Sequence, residues 1–132
     1  GIRLNLKSVS KEEAIQAAGA LLHELGYVDE AYIPAMLERE KIVTTYIGMG
    51  LAIPHGTTHD AGIIHKTGIV LLQYPEGVDF GEEKAQLVIG IAGMGGEHME
   101  VLAKVCTALD DPAVLEKMKT TDDKEWIMRQ LT

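Results

Sequence analysis

Cysteine occurs once in the 132 residues, at Cys106, so no disulfide can form within the chain. That usage fits a reducing compartment such as the cytosol. No apolar run reaches the ~18–20 residues that a membrane-spanning helix needs. No secretory signal pattern is expected at the N-terminus. Positive charge is scarce as well: the net charge is −8. Nucleic-acid binders present basic faces, so this balance argues against a nucleic-acid partner. It also argues against docking on an anionic membrane. Solubility accounts for the charge, and so does a docking surface for a basic protein; charge alone does not choose. Repeats, low-complexity tracts and linkers are absent too. The length suits one compact domain over residues 1–132, with enough apolar residues for a core.

What is present alternates between two periods. Ile2, Leu4 and Leu6 alternate with polar residues, as in a half-buried strand. Ser10 to Glu13 has the form of a capping box, opening a helix whose stripe is Ala14, Ala17, Ala18, Leu21, Leu22 and Leu25, with Gly26 as its stop. Asp29 can cap a second helix running to about Glu40, which must kink at Pro34 or start late. Strands are expected over 42–47, 51–53, 68–74 and 87–92, with a turn-rich stretch over 75–83. Three helices follow. One carries Val101, Leu102, Val105, Cys106 and Leu109, which predicts a buried, inert thiol; the second opens at Asp111-Pro112, and the third near Thr121 to Asp123. Interleaved strands and helices predict an α/β fold, a central sheet with helices on both faces. No helical pattern separates the strand ending at Tyr74 from the one starting at Leu87. Parallel neighbours need a crossover, so this pair is expected to be antiparallel and the sheet mixed.

Five histidines are the candidates for chemistry. His23 lies one place past a helix stripe and His65 in a polar loop, and both read as structural or solvated. His55 and His59 form an H-x₃-H pair, which on a helix would suit zinc. Pro54 and Gly56 flank His55, however, so a helix is disfavoured, and the glutamate of H-E-x-x-H is missing. A rigid histidine at a strand end, open to a bulky reactant, is the alternative. A neutral imidazole is a nucleophile that can carry a covalent intermediate. A histidine that merely punctuates a turn remains open on spacing alone. The segment "GIAGMGGEH" is a strand, a glycine-rich turn and a helix start, which suits an anion and places His98 to meet one. A tight turn that simply needs glycine explains the same letters, and neither a P-loop nor G-x-G-x-x-G is matched. Arg39, between Glu38 and Glu40, reads by itself as a solvated surface residue.

Four segments together resemble one family: "GLAIPHG", "TGIVLLQYPEGVDFGEE", "LVIGIAGMGGEHMEVL" and "ALDDPAVLEKM". They are similar to the IIA domain of the bacterial phosphoenolpyruvate:sugar phosphotransferase system, mannitol/fructose class. "QYPEGVDFGEE" and "EHMEVL" point to the mannitol branch. The resemblance covers nearly the whole chain. It implies that His55 accepts a phosphoryl group at Nε2 from phosphorylated HPr and passes it to a cysteine of a IIB domain, which serves a membrane IIC component. It implies that His98 and Arg39 assist. Related chains often carry an acidic residue where this one has Met49.

That chemistry suits these residue types. Phosphoryl transfer needs in-line positioning and neutralised oxygens, and donors such as Arg39 and His98 are worth ~2–4 kcal/mol each when buried in a transition state. The Nδ1–H of His55 is expected to rest on a carbonyl. No metal or cofactor is required. Asp79, Glu82 and Glu83 are candidates for steering a basic partner if the 75–83 segment folds near His55. Three other readings stay open: a regulatory IIA-like phosphoacceptor, a metal enzyme using His55 and His59, and a purely structural domain.

Overall fold

The computed structural model describes residues 1–56, 62–95 and 97–131. Its strands are β1 (Ile2–Arg3), β2 (Tyr46–Gly48), β3 (Leu51–Ala52), β4 (Gly68–Asp79) and β5 (Lys84–Ala92). Its helices are α1 (Lys11–Glu24), α2 (Tyr32–Ile42), α3 (Glu97–Ala108), α4 (Pro112–Met118) and α5 (Lys124–Leu131). The strands form one sheet in the order β1-β4-β5-β3-β2. β4 and β5 are antiparallel, β1 is parallel to β4, β3 is parallel to β5, and β2 is antiparallel to β3. The sheet is mixed, as the missing crossover predicted.

Alternation along the two long strands creates two cores. Val70, Leu72, Tyr74, Val88 and Ala92 face one side and pack with Ala14, Ile15, Ala18 and Leu22 of α1 and Tyr32 and Met36 of α2. Leu71, Leu87, Ile89 and Ile91 face the other and pack with Val105, Leu109, Leu115, Met118 and Ile127 from α3, α4 and α5. Helices therefore cover both faces. Gln73 is the polar residue inside β4, 1 % exposed. Its Nε2 donates to the carbonyls of Met118 and Thr121 at 2.9 and 2.8 Å, and its Oε1 accepts from the Asn5 N–H at 2.9 Å. Every such bond offsets the cost of burying an amide.

Several boundaries differ from expectation, each for a local reason. The first strand ends at Arg3, and Asn5 turns at φ 53°. The capping box at Ser10 and Glu13 forms as expected. The buried stripe of α1 is centred on Ala14, Ile15, Ala18 and Leu22, which leaves Ala17 and Leu25 exposed. Gly19 lets α2 approach, since a Cβ there would stand 2.8 Å from Ile33. Tyr27 N–H bonds to Leu22 O and Gly26 N–H to His23 O, closing α1 in a Schellman motif around Gly26 at φ +82°.

α2 starts late, at Tyr32. Pro34 is then its third residue, where no intrahelical N–H partner is lost and no kink is needed. α2 also runs on to Ile42, so the strand expected over 42–47 is confined to Tyr46–Gly48. The stretch expected as turns over 75–83 is mostly strand. β4 continues to Asp79 through a register shift between Gln73 and Val78, where Gly77 stands at φ +86°. Only residues 80–83 separate it from β5.

Candidate functional site

His55 follows β3 and bridges Ile91 near the end of β5, with the Ile91 N–H donating to Pro54 O at 3.0 Å. Its Nδ1 lies 2.8 Å from the Ile53 carbonyl. A carbonyl only accepts, so Nδ1 carries the proton and Nε2 keeps its lone pair. Burial pushes the imidazole pKa below its ordinary 6.5. The Ile53 carbonyl pulls it back up, Arg39 and His98 lower it further, and Glu40 raises it. His55 is therefore neutral at neutral pH, with a fixed tautomer and a nucleophilic Nε2.

His98 stands in the first turn of α3, and its ring centroid lies 6.4 Å from that of His55. The glycine-rich turn makes this approach possible. A Cβ on Gly93 would collide with the backbone and Cβ of His98, and Gly95 adopts φ +56°. The imidazole is lightly tethered, with Nδ1 3.4 Å from Gly95 O. Arg39 lies in the last turn of α2. Its Nη1 donates to Val43 O at 2.6 Å, which fixes one arm of the guanidinium fork, and its charge is felt at His55. Three residues spread over sixty positions thus converge on one end of β5.

Two contributors escaped the sequence reading. Tyr32, 2 % exposed, donates its hydroxyl to Ile91 O at 2.8 Å and accepts from the Gly56 N–H at 2.8 Å. It ties the start of α2 to both sides of His55, and nothing in its local pattern marks it. Glu40, which the sequence reading named only as a neighbour of Arg39, is 6 % exposed. Helical phase decides this: Glu40 lies four residues beyond Met36, on the face of α2 that packs inward.

The remaining candidates sort cleanly. His23 Nδ1 lies 3.0 Å from Val28 O, a structural bond, and His65 is an exposed loop residue. Cys106 is exposed, not buried, because the inward stripe of α3 passes through Val101, Leu102 and Val105. His59 lies outside the described residues. Among the described residues, no cluster of three or more His, Cys, Asp or Glu is placed to hold a metal. Asp79, Glu82 and Glu83 sit at the other end of β5, since Asp79 pairs with Lys84 while His55 bridges Ile91. Seven residues of strand at ~3.3 Å each place that hairpin about 23 Å away. Met49 occupies a tight turn at φ 55°, 64 % exposed, and no carboxylate stands there.

A half-buried neutral imidazole, flanked by a guanidinium and a second imidazole, can take an electrophilic phosphoryl group and shield its oxygens. The chain is 50 % identical over 125 residues to the mannitol-specific EIICBA component of the PTS system of Vibrio cholerae serotype O1, with 92 % of this chain and 19 % of that protein covered. It therefore spans about a fifth of the length of that relative. It is 41 % identical over 126 residues to the mannitol-specific phosphotransferase enzyme IIA component of Staphylococcus aureus, covering 96 % of this chain and 88 % of that one. Among solved structures it matches the complex of enzyme IIAMTL and phosphorylated enzyme IIBMTL from Escherichia coli, with a TM-score of 0.93, 45 % identity, and 98 % and 92 % of the two chains covered. The model of the phosphoenolpyruvate-dependent sugar phosphotransferase system EIIA 2 family matches residues 1–132, and the chain belongs to that family.

Proposed function

We propose that this chain is the IIA phosphoryl carrier of a mannitol uptake system, working in the cytoplasm. His55 takes a phosphoryl group from phosphorylated HPr and hands it to a cysteine of a cognate IIB domain, which serves a membrane IIC component. The observation that carries this reading is the His55 imidazole itself: its Nδ1–H rests on Ile53 O, which leaves the lone pair on Nε2, and the ring stands 6.4 Å from that of His98 within the field of Arg39.

The Nε2 lone pair attacks phosphorus in line. The bond to the donor side chain breaks, and its electron pair stays with the donor. Positive charge builds in the ring as the N–P bond forms, and the Nδ1–H bond to Ile53 O steadies it. Arg39 and His98 donate to the phosphoryl oxygens, neutralising charge that the donor side chain had balanced. In the second half-reaction a thiolate attacks the same phosphorus, and the N–P electron pair returns to Nε2. Arginine's single fixed arm and the lightly tethered His98 keep the phosphoryl group from being trapped. Neither half-reaction requires a metal, since donor and acceptor are protein side chains. Exposed Ile42 and Val43 beside Arg39, and Met94 and Met99 beside His98, offer partners an apolar rim.

Incubation with enzyme I, HPr and phosphoenolpyruvate tests the reading. An acid-labile phosphate should map to His55, and His55→Ala should accept none while keeping its fold by circular dichroism. Normal labelling of that variant would remove His55 from the role. Transfer to a mannitol IIB domain separates a transporter subunit from a regulatory phosphoacceptor of the same chemistry.

A further inference from the structure

Glu40 is the one buried carboxylate among the described residues. Its Oε1 accepts from the backbone N–H of Thr45 at 2.9 Å and from the Thr45 hydroxyl. Its Oε2 makes no hydrogen bond and lies 3.8 Å from Lys11 Nζ. Burying a carboxylate with one oxygen unsatisfied is costly.

The hydrogen bonds that leave Glu40 lead to the nucleophile. Thr45, itself 3 % exposed, is held through its N–H and hydroxyl by Glu40. The Thr45 carbonyl accepts from the Ile53 N–H at 3.1 Å, and the Ile53 carbonyl meets His55 Nδ1 at 2.8 Å. Arg39, one residue earlier on α2, grips Val43 in the same segment. Consecutive residues of α2 therefore clamp the 43–45 loop, one placing the guanidinium and the other placing the strand that aims His55.

We infer that Glu40 is a positioning residue for phosphoryl transfer: through Thr45 and Ile53 it fixes the carbonyl that selects the His55 tautomer, and its charge opposes that of Arg39 at the imidazole. The charged groups facing His55 are Arg39 and Glu40 on α2 and His98 on α3, with Lys11 on α1 acting on Glu40. Of these, Glu40 alone makes the imidazole more basic. A nucleophile lowered by burial, Arg39 and His98 together would lose reactivity, and Glu40 limits that loss.

This inference rests on His55 as phosphoacceptor, and the decisive measurement is made on unphosphorylated protein, so the two can fail separately. The ¹⁵N imidazole signals of His55 are followed with pH in wild type, Glu40→Gln and Glu40→Asp. Glu40→Gln keeps the shape and removes the charge. Its His55 midpoint should fall, and the acidic limb of phosphoryl acceptance should move down with it. Glu40→Asp keeps the charge and should restore most of that shift. A purely structural residue would lower the rate at every pH and leave the midpoint in place. An unchanged midpoint and tautomer in folded Glu40→Gln overturns the inference. If Glu40→Gln does not fold, Thr45→Val decides. It deletes the hydroxyl contact, and the Nδ1–H tautomer population of His55 should fall; an unaltered population again overturns the proposal.

Discussion

The two histidines of the site are held in opposite ways. His55 leaves a strand, lies between proline and glycine, and has its Nδ1 2.8 Å from a carbonyl that is itself tied into the sheet. Tyr32 and Thr45 brace the chain on either side of it. His98 enters from a glycine turn, and the bond to its Nδ1 is long, at 3.4 Å. One imidazole is fixed in place and protonation state; the other can adjust. On the proposed function, a carrier that is loaded by one partner and unloaded by another needs both. The nucleophile must be preorganised, because its alignment sets the barrier. The assisting donor must follow the phosphoryl group as the attacking and leaving atoms exchange sides.

The sharpest way to break this comparison is to remove the fixed cation whose charge acts on His55. Arg39→Gln should slow phosphoryl acceptance about 100-fold, equivalent to ~2.7 kcal/mol. Single-turnover labelling by phosphorylated HPr measures it, and a rate within twofold of wild type would discard Arg39. Gly93→Ala attacks the adaptable side alone. Its Cβ would overlap the His98 backbone, so unfolding in urea should show a loss of ~1–3 kcal/mol. Acceptance should fall no further than in His98→Ala, because His55 is anchored elsewhere. His98→Ala should slow acceptance or onward transfer about tenfold, ~1.4 kcal/mol. Wild-type rates in both half-reactions would leave His98 without a role.

The smallest effect is on stability against pH. Burial lowers the folded-state pKa of His55, so the unfolded chain takes up its proton first as pH falls. The contribution of neutral His55 is complete above about pH 6.5 and is lost as pH drops from there through the folded pKa. Wild type should lose more stability between pH 7.5 and 5.5 than His55→Gln does, by chemical denaturation at each pH. Equal losses would mean that His55 is not held neutral by its surroundings.

Local chemistry made much of the fold legible. The capping box at Ser10, the Schellman glycine at Gly26 and the Asp111-Pro112 start of α4 each depend on a few adjacent residues, and each formed where expected. Continuous apolar runs marked β4 and β5, and the missing crossover set their direction. The failures came where a neighbour decides. Gly77 and Pro75 read as turn residues, yet pairing with β5 drew them into a bulged strand. Ile42 and Val43 have strand propensity, yet α2 runs through Ile42. Cys106 is exposed and Glu40 buried because helical phase relative to the sheet, not hydropathy, decides which side chain turns inward.

By itself the sequence singled out His55 as the candidate reactive group. Proline before His55 and glycine after it disfavour a helical metal pair and point to a stiff, accessible imidazole, because both constraints act on the backbone of that residue and its neighbours. Tertiary structure decided everything that requires convergence. Parallel pairing of β3 with β5 and the sharp turn at Gly93 bring His98 to 6.4 Å from His55 across forty-three residues of chain. The inward face of α2 brings a buried carboxylate to the strand that aims the nucleophile. Such distances depend on the packing of whole elements, and no local pattern of residues encodes them.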